Sequence, residues 1–227
     1  MSDASNESSR QCCSGRKNVL LWLATAAAIV IVAGVITRQV MLHRYDPSQD
    51  SSIPYHHPAH NAPYIQTPDR VVAAFVEQAH ATKEDVVYDL GCGDGRLVIA
   101  IAEQSGCRGI GFDIDPRRVI EARENAKKHH VESLVQFEER DVYSVDLSKA
   151  TVVVAYLLPK MLEALIPQFD AMPSGSRIIS HDFQIEGIVM DKAVDVRMET
   201  GDKNEHRVCV YTTPLRREPP KPNKKRQ

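Results

Sequence analysis

The sequence predicts an α/β fold centred on an open, largely parallel sheet. Three observations carry this reading. The run Val86-Val87-Tyr88 passes straight into alternating glycines, an acidic residue stands near the carboxyl end of each of three successive strands, and Thr151 to Ala155 is a β-branched, apolar run. A run of the last kind suits a parallel strand buried on both faces. Open α/β sheets bind ligands outside the carboxyl ends of their strands. The three acids, Asp89, Asp113 and Asp141, therefore mark one sheet edge as the working edge.

In chain order, residues 1–18 form a polar tail and Val19 to Ile36 an uncharged apolar run of 18 residues. As a helix that run would span about 27 Å, close to a bilayer core. The expectation is a transmembrane helix over 19–37 rather than a cleaved signal, because no small-x-small cleavage site follows. Cys12 and Cys13 ahead of it are either lipidated or plain thiols. Residues 38–62, rich in Pro, Ser, His and Asp, read as an extended linker. A helix then begins at Thr67-Pro68-Asp69, with Thr67 as cap and an apolar stripe of Val71, Val72, Phe75, Val76 and Ala79.

The first strand ends in the glycine turn, and Arg96 to Gln104 has helical character. Gly91, Gly93 and Gly95 remove every second side chain, so the backbone turns with positive φ and approaches a ligand closely. A dinucleotide fingerprint would need glycine at position 96, where this chain has Arg96. Asp89 suits a cationic ligand, since a carboxylate serves an ammonium directly or through water. Arg108 to Asp113 is the second strand; its terminal acid falls about 20 residues on, where ribose hydroxyls need an acceptor. Asp115 caps the next helix and Pro116 fits its first turn. The third strand, Val135 to Glu139, leads to Asp141 and Val142.

Beyond Thr151 to Ala155, Lys160 to Phe169 reads as a helix broken by Pro167, and Ser176 to Ser180 as a fifth strand ending at His181-Asp182. Val194 to Met198 and Arg207 to Thr212 form a hairpin around Gly201 to Asn204. Residues 214–227 read as a basic, disordered tail, with six Lys or Arg against Glu218 alone from Arg216 onward.

From about Tyr64 to Thr213 the chain resembles a class I S-adenosylmethionine-dependent methyltransferase, on the pattern D-x-G-x-G-x-G at Asp89 to Gly95 with Asp113 and Asp141. The resemblance implies a Rossmann-like seven-stranded sheet with an antiparallel last strand, here preceded by one transmembrane helix, over a domain at 63–213. It is narrower towards the membrane-anchored protein-lysine methyltransferases that modify ATP synthase subunit c and the adenine nucleotide translocase. That likeness rests on the amino-terminal span, on Pro63-Tyr64-Ile65-Gln66-Thr67-Pro68, on Val86 to Arg96 and on Tyr156-Leu157-Leu158-Pro159. By the resemblance, Asp89, Gly91, Gly93 and Gly95 form the first cofactor motif, Asp113 holds the ribose, Asp141 and Val142 meet adenine, and the segment with Tyr64 and Thr67 lies over the cofactor, which makes both pocket candidates, with packing an equal account of Tyr64. The expected cofactor is S-adenosylmethionine. Arg10, Arg16 and Lys17 against Arg38 and Arg44 favour an exported domain, but a cofactor made inside cells places it on the cytosolic side.

At the reaction edge, Tyr156-Leu157-Leu158-Pro159 stands where enzymes methylating bases or glutamine carry N/D-P-P-Y/F. Its aromatic and apolar character suits the methylene stem of lysine. Tyr156 reads equally as an acceptor contact or a structural tyrosine, and His181, beside Asp182, as a general base or a hydrogen-bonded strand end. The expected partners are the membrane and a protein acceptor near it. A lipid, quinone or small-molecule acceptor is the alternative, followed by a non-catalytic binding module.

Composition bounds the rest. A chain of 227 residues with 43% hydrophobic residues allows one domain plus extensions. A net charge of -2 gives no pull towards nucleic acid, and none is expected as a partner. Five cysteines without C-x-x-C pairs indicate neither zinc nor a disulfide framework. His56, His57 and His60 lie among prolines that prevent a helical alignment, so no metal is expected.

Overall fold

A computed structural model describes residues 63–198 and 205–219. These contain α1 (Asp69–Ala79), β1 (Val86–Leu90), α2 (Arg96–Ser105), β2 (Arg108–Asp113), α3 (Pro116–Lys128), β3 (Val135–Glu139), β4 (Val152–Ala155), α4 (Pro159–Ala164), α5 (Ile166–Asp170), β5 (Arg177–His181), β6 (Lys192–Val196) and β7 (His206–Thr212). The strands form one seven-stranded sheet in the order β3-β2-β1-β4-β5-β7-β6. β1 to β5 pair in parallel, while β7 runs antiparallel to both β5 and β6. The strand order reverses between β1 and β4, the kind of switch point at which such sheets open a crevice.

Alternation along the strands builds two cores. Val87, Val152, Val154 and Ile179 face Val71 and Phe75 of α1 and Ile99 of α2. Tyr88, Leu90, Val153, Ala155 and Ile178 face Leu162 of α4 and Phe169 of α5. Every β4 side chain is buried, as its unbroken apolar run required. Register then sets the site. Ala155 pairs with Ser180 and His181 pairs with Val208, so residue 156 emerges beside His181. Position 206 is the diagonal neighbour of His181 on the same face, within reach of long side chains.

The expected membrane helix is corrected. No helix among the described residues is long and apolar enough to cross a membrane. The longest, α3, has 13 residues with the sequence PRRVIEARENAKK, about 20 Å of largely charged helix against a hydrocarbon core of about 30 Å. The expected span at 19–37, the linker at 38–62, Cys12 and Cys13 lie outside the described residues. The fold is thus the seven-stranded sheet, with no transmembrane helix in its description.

Smaller differences have local causes. Pro68, not Thr67, holds the N-cap position of α1, and no side chain caps it; Thr67 is buried instead. Pro167 does not break one helix but sits in the first turn of α5, where its missing N–H leaves no hydrogen bond unmade. The basic tail starts later than expected. Arg216 pairs with Asp191 and Arg217 with Asp170, and the Glu218 N–H donates to Gly187 O at 2.8 Å.

Candidate active site

A cavity of about 340 Å³ opens over the carboxyl ends of β1, β2 and β4, a size within the range of small-molecule sites. Its floor is the turn after β1. The Gly91 and Cys92 N–H groups both donate to Phe112 O at 2.9 Å, tying the turn to β2. Gly93, at φ 55°, lies so close beneath Tyr64 that a Cβ would come within 2.5 Å of the ring. Asp113 organises the turn from the neighbouring strand. Its Oδ2 accepts from Gly93 N–H at 2.8 Å and its Oδ1 from Asp115 N–H at 2.9 Å. Each oxygen keeps a further lone pair for a ligand hydroxyl. Burial raises this carboxyl above the usual range, partly offset by those two N–H groups.

Asp89 lies beside the turn and lines the cavity. It is 1% exposed, and its Oδ2 has no hydrogen-bond partner among the described residues. Burial pushes its pKa up to about 8, against the Val98 N–H and reinforced by Asp113 and Asp94. An unpartnered carboxylate oxygen in a cavity wall is a site for a cation, and an α-ammonium group fits it.

The segment before α1 forms the cavity's outer wall. Arg96 ties it down: the guanidinium donates to Thr67 O at 2.8 Å and pairs with Asp94 at 2.6 Å. Arg118 stacks on Tyr64 at 4.4 Å from the ring centroid, a cation–π contact. Neither arginine nor Asp94 is marked in the sequence as a site residue, because an isolated Arg or Asp carries no motif until the partner segment is in place. Thr67, Asp141 and Val142 also line the cavity. Gly95 does not. It starts α2 at φ 80°, and a Cβ there would meet Phe137 at 2.7 Å, so the position serves packing.

Tyr156 closes the far end of the cavity with Leu157 and Met161. Behind it stand His181, Asp182 and a residue the sequence had not singled out, His206. The Tyr156 ring lies over that of His181, with centroids 3.9 Å apart, and its hydroxyl donates to Asp182 Oδ2 at 3.4 Å. The expected pair of chain neighbours does not form a hydrogen bond: His181 Nε2 and Asp182 Oδ2 are 3.6 Å apart. His206 Nδ1 reaches Asp182 Oδ2 at 3.2 Å and His181 Nε2 at 3.1 Å. His181 is fully buried. Burial pushes its pKa down to about 4, against the pull of Asp182 and with help from His206. It is therefore a neutral ring beneath Tyr156 at physiological pH.

Asp182 is held in an uncommon backbone conformation. Its φ is 60°, and Phe183 N–H donates to His181 O at 2.6 Å, which makes Asp182 the centre of a γ-turn with positive φ, a strained form. Strain of this kind is worth about 1–3 kcal/mol and gathers at functional sites. β7 holds it in place, with Asp182 N–H donating to Arg207 O at 2.7 Å and Arg207 N–H to Asp182 Oδ1 at 2.9 Å. The facing atoms of His181, Asp182 and His206 lie within 4.8 Å of one another, near enough to share a metal ion, although three donors are one short of a closed structural zinc site.

Comparison with known proteins places this geometry. Residues 89–192 match the family model described as the ANTKMT methyltransferase domain. The chain is similar to a protein-lysine N-methyltransferase from Saccharolobus islandicus, 35% identical over 153 residues that cover 66% of this chain and 93% of that protein. It is 31% identical over 127 residues to a ribosomal protein L11 methyltransferase from Alkaliphilus oremlandii, covering 56% of this chain but only 39% of that one. Among solved structures, an RNA methyltransferase from Salinibacter ruber in complex with S-adenosyl-L-homocysteine is 40% identical, with a TM-score of 0.59 over 65% of this chain and 93% of that one. The glycine turn, the acids at three strand ends and these matches agree: the chain belongs to the family of the ANTKMT methyltransferase domain and is a class I methyltransferase whose cofactor is S-adenosylmethionine.

Proposed function

We propose that this methyltransferase modifies the side-chain amine of a lysine in a protein. The observation that carries the reading is the far end of the cavity, where an aromatic and apolar rim of Tyr156, Leu157 and Met161 leads to a carboxylate, Asp182, hydrogen-bonded to Tyr156. A lysine stem suits the rim and its ammonium suits the carboxylate. The named activities of the Saccharolobus islandicus and Alkaliphilus oremlandii proteins, both with protein acceptors, support the same class.

Within this reading, Asp89 takes the ammonium of the cofactor, the glycine turn with Asp113 holds its ribose, and Asp141 with Val142 borders its adenine. S-adenosylmethionine, when bound, supplies a methyl group already activated on a sulfonium. The chain's task is alignment and proton removal. Alignment of two reactants is worth roughly 7–11 kcal/mol. Deprotonating a lysine at pH 7 costs about 4–5 kcal/mol from a reference pKa near 10.4; desolvation by an apolar rim lowers that pKa, and a carboxylate within reach takes the proton as general base. Asp182→Asn is expected to lower kcat about 10²-fold or more, with affinity for the cofactor retained because Asp182 is not among the cavity-lining residues. Equal loss of both would remove Asp182 from the chemistry.

The name of the Salinibacter ruber relative favours a second reading, an RNA acceptor. One experiment separates the two: methyl-labelled S-adenosylmethionine with extract from the protein's own source, fractionated into protein, RNA and lipid. Label in protein, mapped to lysine by mass spectrometry, is the expected result. Label confined to RNA or lipid would overturn the lysine reading.

A further inference from the structure

We propose that His206 is a positioning residue for methyl transfer, setting the Asp182 carboxylate as the group that takes the acceptor's proton. This rests on the lysine reading above. His206 Nδ1 faces both Asp182 Oδ2 and His181 Nε2, at 3.2 Å and 3.1 Å. An ionised carboxylate only accepts, so the hydrogen between His206 and Asp182 belongs to His206 Nδ1. The nearby His181 Nε2 faces that same N–H and takes the acceptor role, which places the proton of its neutral ring on Nδ1. That atom is buried with no partner among the described residues. His181 is thus sealed from the acceptor, with Phe75 against its edge and Tyr156 across its face, and it is the template against which His206 is fixed.

Asp182 differs from His181 in what it can reach. Its side chain is 27% exposed, and Tyr156, which donates to the same Oδ2, itself lines the cavity. Two donors, the Tyr156 hydroxyl and the His206 Nδ1–H, therefore aim one carboxylate oxygen. Arg207 N–H fixes the other. In the step this serves, the ammonium of the acceptor gives one proton to Asp182. The freed nitrogen lone pair forms the new C–N bond as the C–S bond breaks, with its electron pair remaining on sulfur. The product is an N-methylammonium, and the proton leaves Asp182 for solvent.

The test compares His206→Ala, His206→Leu and His206→Asn. An asparagine amide places a donor near the Nδ1 position, while alanine and leucine do not. The expected result is a kcat 10- to 100-fold lower in the alanine and leucine variants, with KM for the acceptor and affinity for S-adenosylmethionine unchanged, and substantial recovery in His206→Asn. Equal losses in all three, or losses that track melting temperature and cofactor affinity, would make His206 a packing residue and overturn the proposal. A measurement on the full-length protein without any acceptor stands apart from the lysine reading: long-range ¹H–¹⁵N spectra of labelled histidines should show His206 as the Nδ1–H tautomer, and this signature should change in Asp182→Asn. An Nε2–H tautomer for His206 would overturn the positioning role whatever the acceptor is, whereas the expected tautomer with label found only in RNA would overturn the acceptor assignment alone.

Discussion

Asp89→Asn is expected to melt at a higher temperature than the parent protein while losing most of its affinity for S-adenosylmethionine. The carboxyl is 1% exposed and burial pushes its pKa up to about 8, whereas in the unfolded chain it ionises near 3.9. A carboxyl whose folded pKa is raised contributes stability that is complete below the unfolded value and is lost as pH rises towards the folded one. The window is therefore about pH 4 to 8. At pH 7 the penalty approaches about 4 kcal/mol at 1.36 kcal/mol per unit, and an amide of the same shape removes its pH dependence. For a domain of this size, each kcal/mol moves Tm by roughly 2–4 °C. Binding works in the opposite direction. An ammonium beside Oδ2 favours the ionised form, so the parent should release a proton on binding near neutral pH, and its affinity should climb as pH rises towards 8. Thermal melts across pH, with and without cofactor, check the stability part, and calorimetry in buffers of different ionisation enthalpy checks the proton. A variant whose Tm keeps the parent's slope between pH 5 and 8 would show that Asp89 is not the group responsible.

Asp113→Ala should abolish methylation by removing the cofactor site. The carboxylate holds two backbone N–H groups, those of Gly93 and Asp115, each a charge-assisted bond worth about 1.5–3 kcal/mol. Their loss frees the turn and removes the acceptor for the ribose together. An effect of about 3–4 kcal/mol corresponds to an affinity roughly 10²- to 10³-fold weaker. Asp113→Asn keeps one acceptor oxygen and should fall between the two. Direct binding of S-adenosyl-L-homocysteine reads this without reference to any acceptor. Parent-like affinity in Asp113→Ala would sink the assignment of this cavity to the cofactor.

The two halves of the site were legible to different degrees. Asp89, Gly91 and Gly93 are bound by rules that act within a few residues of chain: a strand, a turn with positive φ, and an acid facing it. Asp113 needed only the next strand, and Gly93 N–H meets it across 20 residues. Gly95 shows the limit of pattern, since the same letter that opens a turn at Gly91 makes room for Phe137 two turn positions later. Thr67 shows another. A threonine before Pro68-Asp69 has the form of a cap, yet Arg96 takes its carbonyl oxygen and draws the segment over the turn.

The sequence by itself determined the parallel sheet, the position of its working edge and the acids along it, because apolar runs, glycine spacing and helix-starting residues act locally and do not depend on distant partners. The tertiary structure decided which histidine serves Asp182. In sequence His181 is its neighbour, but Asp182 lies just past the end of β5 in a turn at φ 60°, which leaves that pair 3.6 Å apart. The antiparallel register His181↔Val208 sets His206 diagonally beside His181, where its Nδ1 meets the Asp182 carboxylate at 3.2 Å.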